Sequence, residues 1–572
     1  MEYSAIFHDM DKRFSYAVDK DLFVIRVQVK KDDMKEVILH YEDKYIPMER
    51  KDTRMTLPMK KVATSQFHDY YEAQLQMHLI CLRYFFEFTD MQGEKVYYGN
   101  YEFDKECITN RDRMFDCPQN LREEEMFEVP QWAANKVVYQ IFPSRFAATQ
   151  PVDKKLWYKA PITPMDDLHG NLRGIIEHLD YIKDLGIDVV YLTPIFKSNS
   201  CHKYDTIDYY QVDPSFGTTE DLKELVQKSH ERGMKVVLDA VYNHTGREFF
   251  AFQDILEKGE KSKYLDWYFI DELPPRGEWG EIPNFKCFGY YGGMPKLNLK
   301  NPEVEKYITD VACYWVKECD IDGWRLDVGD EISHFFWKNF RKAIKAVKKD
   351  MLIIGEIWHY AGDFLEGDEW DTVMNYPFYL NLIDLLADEK INVSQFVQNL
   401  GYLKGRLNKK CYPLMWNLID SHDTARFLHL CNDNKKKQHL AAAFQLLLPG
   451  MPMVYYGDEY AMPGANDPDC RRGMYWDEEY QDKEMYEWYK RLIQVRKSHA
   501  CIVEGELAGS VTEDEEGTIV LIRKNGEETI AMIFNCSSSA KKFNEYTQKY
   551  NLLTENTFDG NVEGFDAAVI VL

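Results

Sequence analysis

Lys235-Val236-Val237-Leu238-Asp239-Ala240-Val241-Tyr242-Asn243-His244 is the stretch from which the fold can be read. Its first half is apolar without alternation, the pattern of a strand buried on both faces in a parallel sheet. The polar residues Asp239, Asn243 and His244 come only toward its C-terminal end. Seven more short runs share the layout, at 137–143, 188–196, 323–328, 352–358, 372–378, 414–420 and 452–459. Amphipathic segments at 219–231, 302–319 and 333–349 separate several of them. Eight such runs predict an α/β fold, a (β/α)8 barrel over 130–498, because an open doubly wound sheet seldom uses so many repeats. A gap of about 80 residues between the third and fourth runs predicts an insertion around 244–300.

Outside the barrel the pattern is β throughout. Runs at 22–29, 37–41 and 79–88 predict an N-terminal β-sandwich over 1–122. Arg122-Glu123-Glu124-Glu125 reads as a solvated connector, and runs at 518–523, 529–535 and 567–572 predict a C-terminal β domain over 500–572. With 45% hydrophobic and 14% aromatic residues in 572, large cores can form, which excludes disorder as the overall state. The formal charge of −25 disfavours nucleic acid and anionic membranes and suits a neutral substrate. No basic leader precedes an apolar stretch at the N-terminus, and the most apolar segment, 441–456, is broken by Gln445, Pro449, Gly450 and Pro452. The 12 cysteines form no CxxC pair and read as reduced and structural, so a cytoplasmic location is expected. No Walker loop, GxGxxG or GxSxG occurs, which excludes the nucleotide-binding and serine-hydrolase classes.

The polar ends of the runs carry the chemistry. In a barrel the C-terminal strand ends gather at one mouth, bringing together Asp239, Asn243, His244, Arg325, Asp327, Glu356, His422 and Asp423. Two carboxyl groups of different pKa are what glycosidic cleavage requires, one ionised and one protonated. Arg325 and Asp327 are two residues apart and share a strand face, so the guanidinium is expected to keep Asp327 ionised as the nucleophile. Asp239 could hold that guanidinium by a bidentate contact. Glu356, followed by Ile357 and Trp358, is expected to favour its neutral form and act as the acid. Asp423 is a third carboxylate able to bind sugar hydroxyls as charge develops. Other readings remain: structural carboxylates, a Glu356-x-x-His359 metal spacing, a capping His244, a surface Tyr204, or a loop ion pair between Asp467 and Arg471.

These motifs, in this order, resemble the α-amylase family of retaining glycoside hydrolases. Met294-Pro295-Lys296-Leu297-Asn298 is similar to the signature of its neopullulanase, cyclomaltodextrinase and maltogenic amylase subgroup. His202-Lys203-Tyr204-Asp205-Thr206, Asn375-Tyr376-Pro377-Phe378 and Tyr455-Tyr456-Gly457-Asp458-Glu459 resemble it too. The resemblance implies that Asp327 is the nucleophile, Glu356 the general acid/base and Asp423 the transition-state stabiliser. It also implies that His244, Arg325 and His422 contact the sugar in the cleavage subsite, that Tyr204 offers it a ring, and that Asp467 and Arg471 bind the next units. The implied substrates are α-1,4-linked glucans, with α-1,6 links left open by the sequence: cyclodextrins, pullulan and malto-oligosaccharides. A homodimer through the N-terminal domain is implied as well. The alternatives are a glucanotransferase using the same intermediate, or a catalytically silent sugar-binding module.

One departure from the family concerns calcium. The loop after the first strand, Phe146-Ala147-Ala148-Thr149-Gln150-Pro151-Val152-Asp153, is poor in oxygen ligands, and the later Gly-Gly-Asp of calcium-binding relatives stands as His169-Gly170-Asn171. Calcium takes about 6–8 oxygens. The expectation is therefore no metal and no cofactor.

Overall fold

Eight parallel strands form one sheet in the computed structural model. In spatial order they are Thr372–Val373, Leu352–Gly355, Gly323–Leu326, Lys235–Ala240, Val189–Leu192, Val138–Ile141, Met451–Tyr455 and Trp416–Asn417. The two ends of that order meet: Met374 bridges Trp416 in parallel, and the Asn375 amide donates to the Trp416 carbonyl at 2.8 Å. The sheet is thus closed into a (β/α)8 barrel. Residues 48–53, 77, 101, 120, 123–125 and 278–279 are not among the described residues, so Glu123, Glu124 and Glu125 of the expected connector lie outside them.

The strands are shorter than the apolar runs that announce them, and the reason is the same at each. Beyond the last ladder bond the chain turns outward to form the mouth, so the polar half of each run leaves the sheet. In the sixth run Pro377 lies in the first turn of the helix Tyr376–Leu382, where its missing N–H costs nothing. The helices follow their sequence signals. Thr219–Glu231 opens on a capping box between Thr218 and Asp221. Pro302–Cys319 begins with proline after the cap Asn301. Helix Lys435–Leu447, apolar through most of its length, is covered by the C-terminal sheet, and Phe444 stacks on Phe534 at 4.3 Å. The buried Arg496 closes its end, donating to the carbonyls of Leu446 at 2.7 Å, Leu448 at 3.0 Å, and Gly450.

The chain divides into two compact units. One joins Met1–Val129 to Tyr360–Asp368 and Ile391–Tyr412; the other holds Pro130–His359, Glu369–Lys390 and Pro413–Leu572. Division in space therefore does not follow three consecutive stretches of sequence. Within the first unit two antiparallel sheets enclose a core of Phe23, Ile25, Val27, Leu82, Tyr84, Phe86 and Phe88. Strand Lys60–Thr64 is covered by helix Val393–Arg406, whose Gly401 lets the two backbones touch: a Cβ there would lie 1.9 Å from the Thr64 carbonyl oxygen. Within the second unit the C-terminal sheet runs in the order Glu506–Glu513, Thr518–Asn525, Glu528–Asn535, Asp566–Val571, Tyr550–Asn551, Asn556–Thr557. Among the described residues no helix is long and apolar enough to cross a membrane.

Gly355, the last residue of the fifth strand, fixes where Glu356 leaves the sheet. A Cβ there would lie 2.2 Å from the ring of Trp370, which is fully buried. Gly355→Ala is expected to destabilise the fold by about 1–3 kcal/mol, the usual cost of overpacking. Chemical denaturation would read it, and an unchanged midpoint would show that Trp370 can move aside.

Candidate active site

Strand register sets the centre of the site. Asp239 is the direct partner of Arg325 across the third and fourth strands. The Arg325 guanidinium is wholly buried, and its Nη1 donates to both Asp239 oxygens at 3.1 and 3.2 Å and to Asp327 Oδ1 at 2.8 Å. Its Nη2 lies 2.8 Å from Glu356 Oε2, outside hydrogen-bond alignment, and 3.9 Å from Asp423 Oδ2. Its Nε contacts Met374 Sδ at 3.4 Å. One cation thus serves four carboxylates that arrive on four different strands.

The electrostatics follow from that imbalance. Burial pushes Asp327 well above the usual aspartate range; Arg325 opposes the shift, while Glu356, Asp239 and Asp423 add to it. The sequence expectation of a low Asp327 is therefore reversed, because a single guanidinium cannot offset desolvation and three like charges. Burial likewise raises Glu356, against Arg325, with Asp423 reinforcing it. The direction agrees with the sequence reading, but the neighbour acts otherwise. Trp358 Nε1 donates to Glu356 Oε1 at 3.2 Å, and the Val328 amide to Oε2 at 3.0 Å; both bonds favour the ionised form. Asp239 is raised to about 6 by burial, although Arg325 and the hydroxyls of Tyr191, at 2.6 Å, and Tyr204, at 3.1 Å, hold its charge.

The other residues named from sequence surround this centre. His422 is fully buried and its pKa falls well below the usual value, through burial and then Arg471 and Arg325, so the ring is neutral. Gln140 Nε2 lies 2.8 Å from its Nδ1. With that amide donating, the ring proton sits on Nε2, 2.5 Å from the Tyr204 hydroxyl and 3.2 Å from Asp423 Oδ2. The Tyr204 ring lies parallel to that of His422, 5.5 Å away. Arg471 donates from Nε to the His422 carbonyl at 2.7 Å and from Nη2 to Asp423 Oδ1 at 3.4 Å, while its Nη1 pairs with the half-exposed Asp467 at 2.8 Å. These two residues are an ion pair and an anchor for the Asp423 loop together.

His244 is buried and lowered to about 3, by burial and by Lys296. Its ring stacks on Phe288 at 5.1 Å, and its Nε2 has no hydrogen-bond partner among the described residues. Asn243 donates to Glu331 at 3.0 Å and accepts from Lys296, whose own pKa burial lowers to about 8. Asp327 Oδ2 is likewise buried without a partner among the described residues. Two unpartnered polar atoms, one a carboxylate oxygen and one an imidazole nitrogen, mark where a polar ligand would complete the site.

Sequence reasoning missed Gln140, Tyr191, Phe288 and Glu331. Gln140 is the detectable one, since a glutamine inside an apolar strand run needs a partner. No group of three or more His, Cys, Asp or Glu among the described residues is disposed to hold a metal ion.

Comparison with known proteins accords with this architecture. Residues 140–505 match the α-amylase catalytic domain and 1–119 the α-amylase N-terminal Ig-like domain. A cyclomaltodextrinase of Geobacillus thermopakistaniensis (strain MAS1) is 42% identical over 544 residues, covering 94% of this chain and 92% of that protein. An intracellular maltogenic amylase of Bacillus subtilis is 38% identical over 543 residues, covering 94% and 91%. A solved structure of a cyclomaltodextrinase superposes over 100% of both chains with a TM-score of 0.94 and 37% identity. Matched in both domains and nearly end to end by these relatives, the chain belongs to the α-amylase family of glycoside hydrolases.

Proposed function

We propose that the protein hydrolyses α-1,4-glucosidic bonds, and α-1,6 bonds as well, in cyclodextrins, pullulan and short malto-oligosaccharides with retention at the anomeric carbon. The observation that carries this reading is the single guanidinium of Arg325 shared among Asp239, Asp327, Glu356 and Asp423. In this reading Asp327 Oδ2, whose lone pairs are uncommitted, attacks the anomeric carbon as the glycosidic C–O bond breaks. Glu356 gives its proton to the leaving oxygen. Water then passes a proton back to Glu356 while its oxygen displaces Asp327 from the sugar. Asp423 faces the developing positive charge, and His244 and His422, both neutral, bond sugar hydroxyls. Tyr204 presents its ring to that sugar, and Asp467 and Arg471 hold the next units.

Burial and mutual repulsion mean that Asp327 and Glu356 titrate as a pair. The pair carries one proton in the active range, and turnover proceeds through the form with Glu356 protonated and Asp327 ionised, the latter held by the aligned Arg325 hydrogen bond. Activity falls in acid as the pair gains a second proton and in alkali as Glu356 loses its own. Both limbs are expected above ordinary carboxyl values, since burial raises both groups.

Two further parts of the reading concern calcium and assembly. The oxygen donors left at the family's calcium position are already used: Asp153 caps helix Lys154–Trp157, and Asn171 caps Leu172–Glu177 while its amide donates to Thr149 at 3.1 Å. We infer that the protein needs no calcium. The N-terminal sandwich, with Tyr45, Phe67 and Ile80 exposed, is read as a homodimerisation surface. Twelve free thiols suit a reducing, cytoplasmic setting.

Product analysis on β-cyclodextrin, pullulan, maltotriose and soluble starch tests the substrate reading. Cyclodextrin opening that outpaces starch cleavage is expected; starch cleaved rapidly with cyclodextrin intact would discard it, and lengthened products would indicate glucanotransfer. Asp327→Asn should lower kcat by at least about 10³-fold on every substrate. Glu356→Gln should still release fluoride from α-maltosyl fluoride, which needs no acid, and should lack the alkaline limb on it. Fluoride release by Asp327→Asn at the wild-type rate would overturn the assignment. Thermal melting should be indifferent to millimolar calcium or chelator, with a rise of several degrees counting against that inference. Sedimentation should give a dimer, and a monomer at micromolar concentration would remove the interface.

A further inference from the structure

A cavity of about 360 Å³ lies in the barrel unit, walled by Asn199, Asp205, Arg247, Glu248, Gly277 and Tyr291. Two of its walls continue segments that build the carboxylate site. Asp205 directly follows Tyr204, Arg247 comes three residues after His244, and the Gly246 amide donating to the Thr206 carbonyl at 2.7 Å ties the segments together.

Arg247 is its unusual member. The guanidinium lies over the rings of Phe252 and Phe285, 5.7 and 5.9 Å from their centroids, and makes no ion pair among the described residues. Its Nη1 is buried and has no hydrogen-bond partner among the described residues. A cation held between rings with donors unspent calls for acceptors from a ligand. Glu248 and Asp205 on the same walls would repel an anion, so the chemistry favours a neutral ligand rich in hydroxyls. Such a ligand accepts from Arg247, donates to the carboxylates and lays an apolar face against Tyr291, which is 41% exposed. Gly277, at φ 143°, is packed against Pro283, where a Cβ would lie 2.8 Å from the proline ring, so this part of the wall is backbone held in place.

We propose that this cavity is a distal glucosyl-binding subsite in which Arg247 determines preference for longer α-glucan chains. The inference rests on the α-glucan reading above. Binding energy gathered there, remote from the cleaved bond, raises turnover of chains long enough to reach it.

The test compares kcat/KM on maltotriose and maltohexaose for the wild type, Arg247→Ala and Tyr291→Ala. A loss of about tenfold on maltohexaose with maltotriose unchanged is expected, the worth of a hydrogen bond from a charged donor. Equal losses on both substrates, or none, would overturn the subsite. Calorimetric binding of maltohexaose to Asp327→Asn, with and without Arg247→Ala, decides the question separately from catalysis. Affinity about tenfold weaker in the double variant supports the subsite even if the wild type turns over neither sugar; equal affinity refutes it. Should Arg247→Ala fail to fold, Tyr291→Ala on the exposed rim carries the comparison.

Discussion

Everything at the mouth of this barrel is arranged around one buried cation. Arg325 has no exposed surface and meets carboxylates from the third, fourth, fifth and seventh strands. Removing it would leave several acids desolvated together, a far greater penalty than losing one surface pair. Four acids against one base also leave a negative excess, which keeps protons on carboxyl groups at a pH where they would ordinarily be lost. The cluster therefore stores an acid and a base side by side without any group of unusual intrinsic chemistry.

The barrel makes that arrangement affordable in structural terms. Parallel strands bring Asp239 opposite Arg325 by register alone, and closure through Met374 and Trp416 brings Asp423 round to the same cation. The walls are then tied by neutral groups. Gln140, His422, Tyr204 and Asp239 form a hydrogen-bonded row across the mouth in which only the last member can carry charge. Holding His422 neutral through burial keeps that row from competing with Arg325 for the carboxylates.

How much of this could be read beforehand divides along physical lines. The runs around Asp239, Arg325, Glu356 and Asp423 were legible because a polar residue closing an apolar stretch is unexpected in a core and expected at a barrel mouth. Run lengths were not, since apolar residues continue past the sheet, Ile357 into the turn and Phe378 into the helix Tyr376–Leu382. Tyr191 was hidden because a tyrosine in a buried strand looks like any core aromatic; only the neighbouring strand shows its hydroxyl to be 2.6 Å from Asp239. Phe288 lies in the insertion, where no periodicity indicates what faces inward. The direction of the Asp327 shift was misjudged because adjacency of Arg325 is visible in sequence, whereas desolvation is a property of the whole enclosure.

The helix Val393–Arg406, lying against strand Lys60–Thr64, ties the order of synthesis to the order of assembly. More than 300 residues separate the two in the chain, so at about 5–20 residues per second the strand leaves the ribosome tens of seconds before its cover exists. During that interval its outer edge is an open pairing template. Lysines at positions 60 and 61 suit an edge that must wait uncovered, since charge on an exposed edge discourages pairing with another chain. For the same reason the N-terminal sandwich is not a detachable module: cutting the chain at residue 129 would free the strands but leave their missing layer behind.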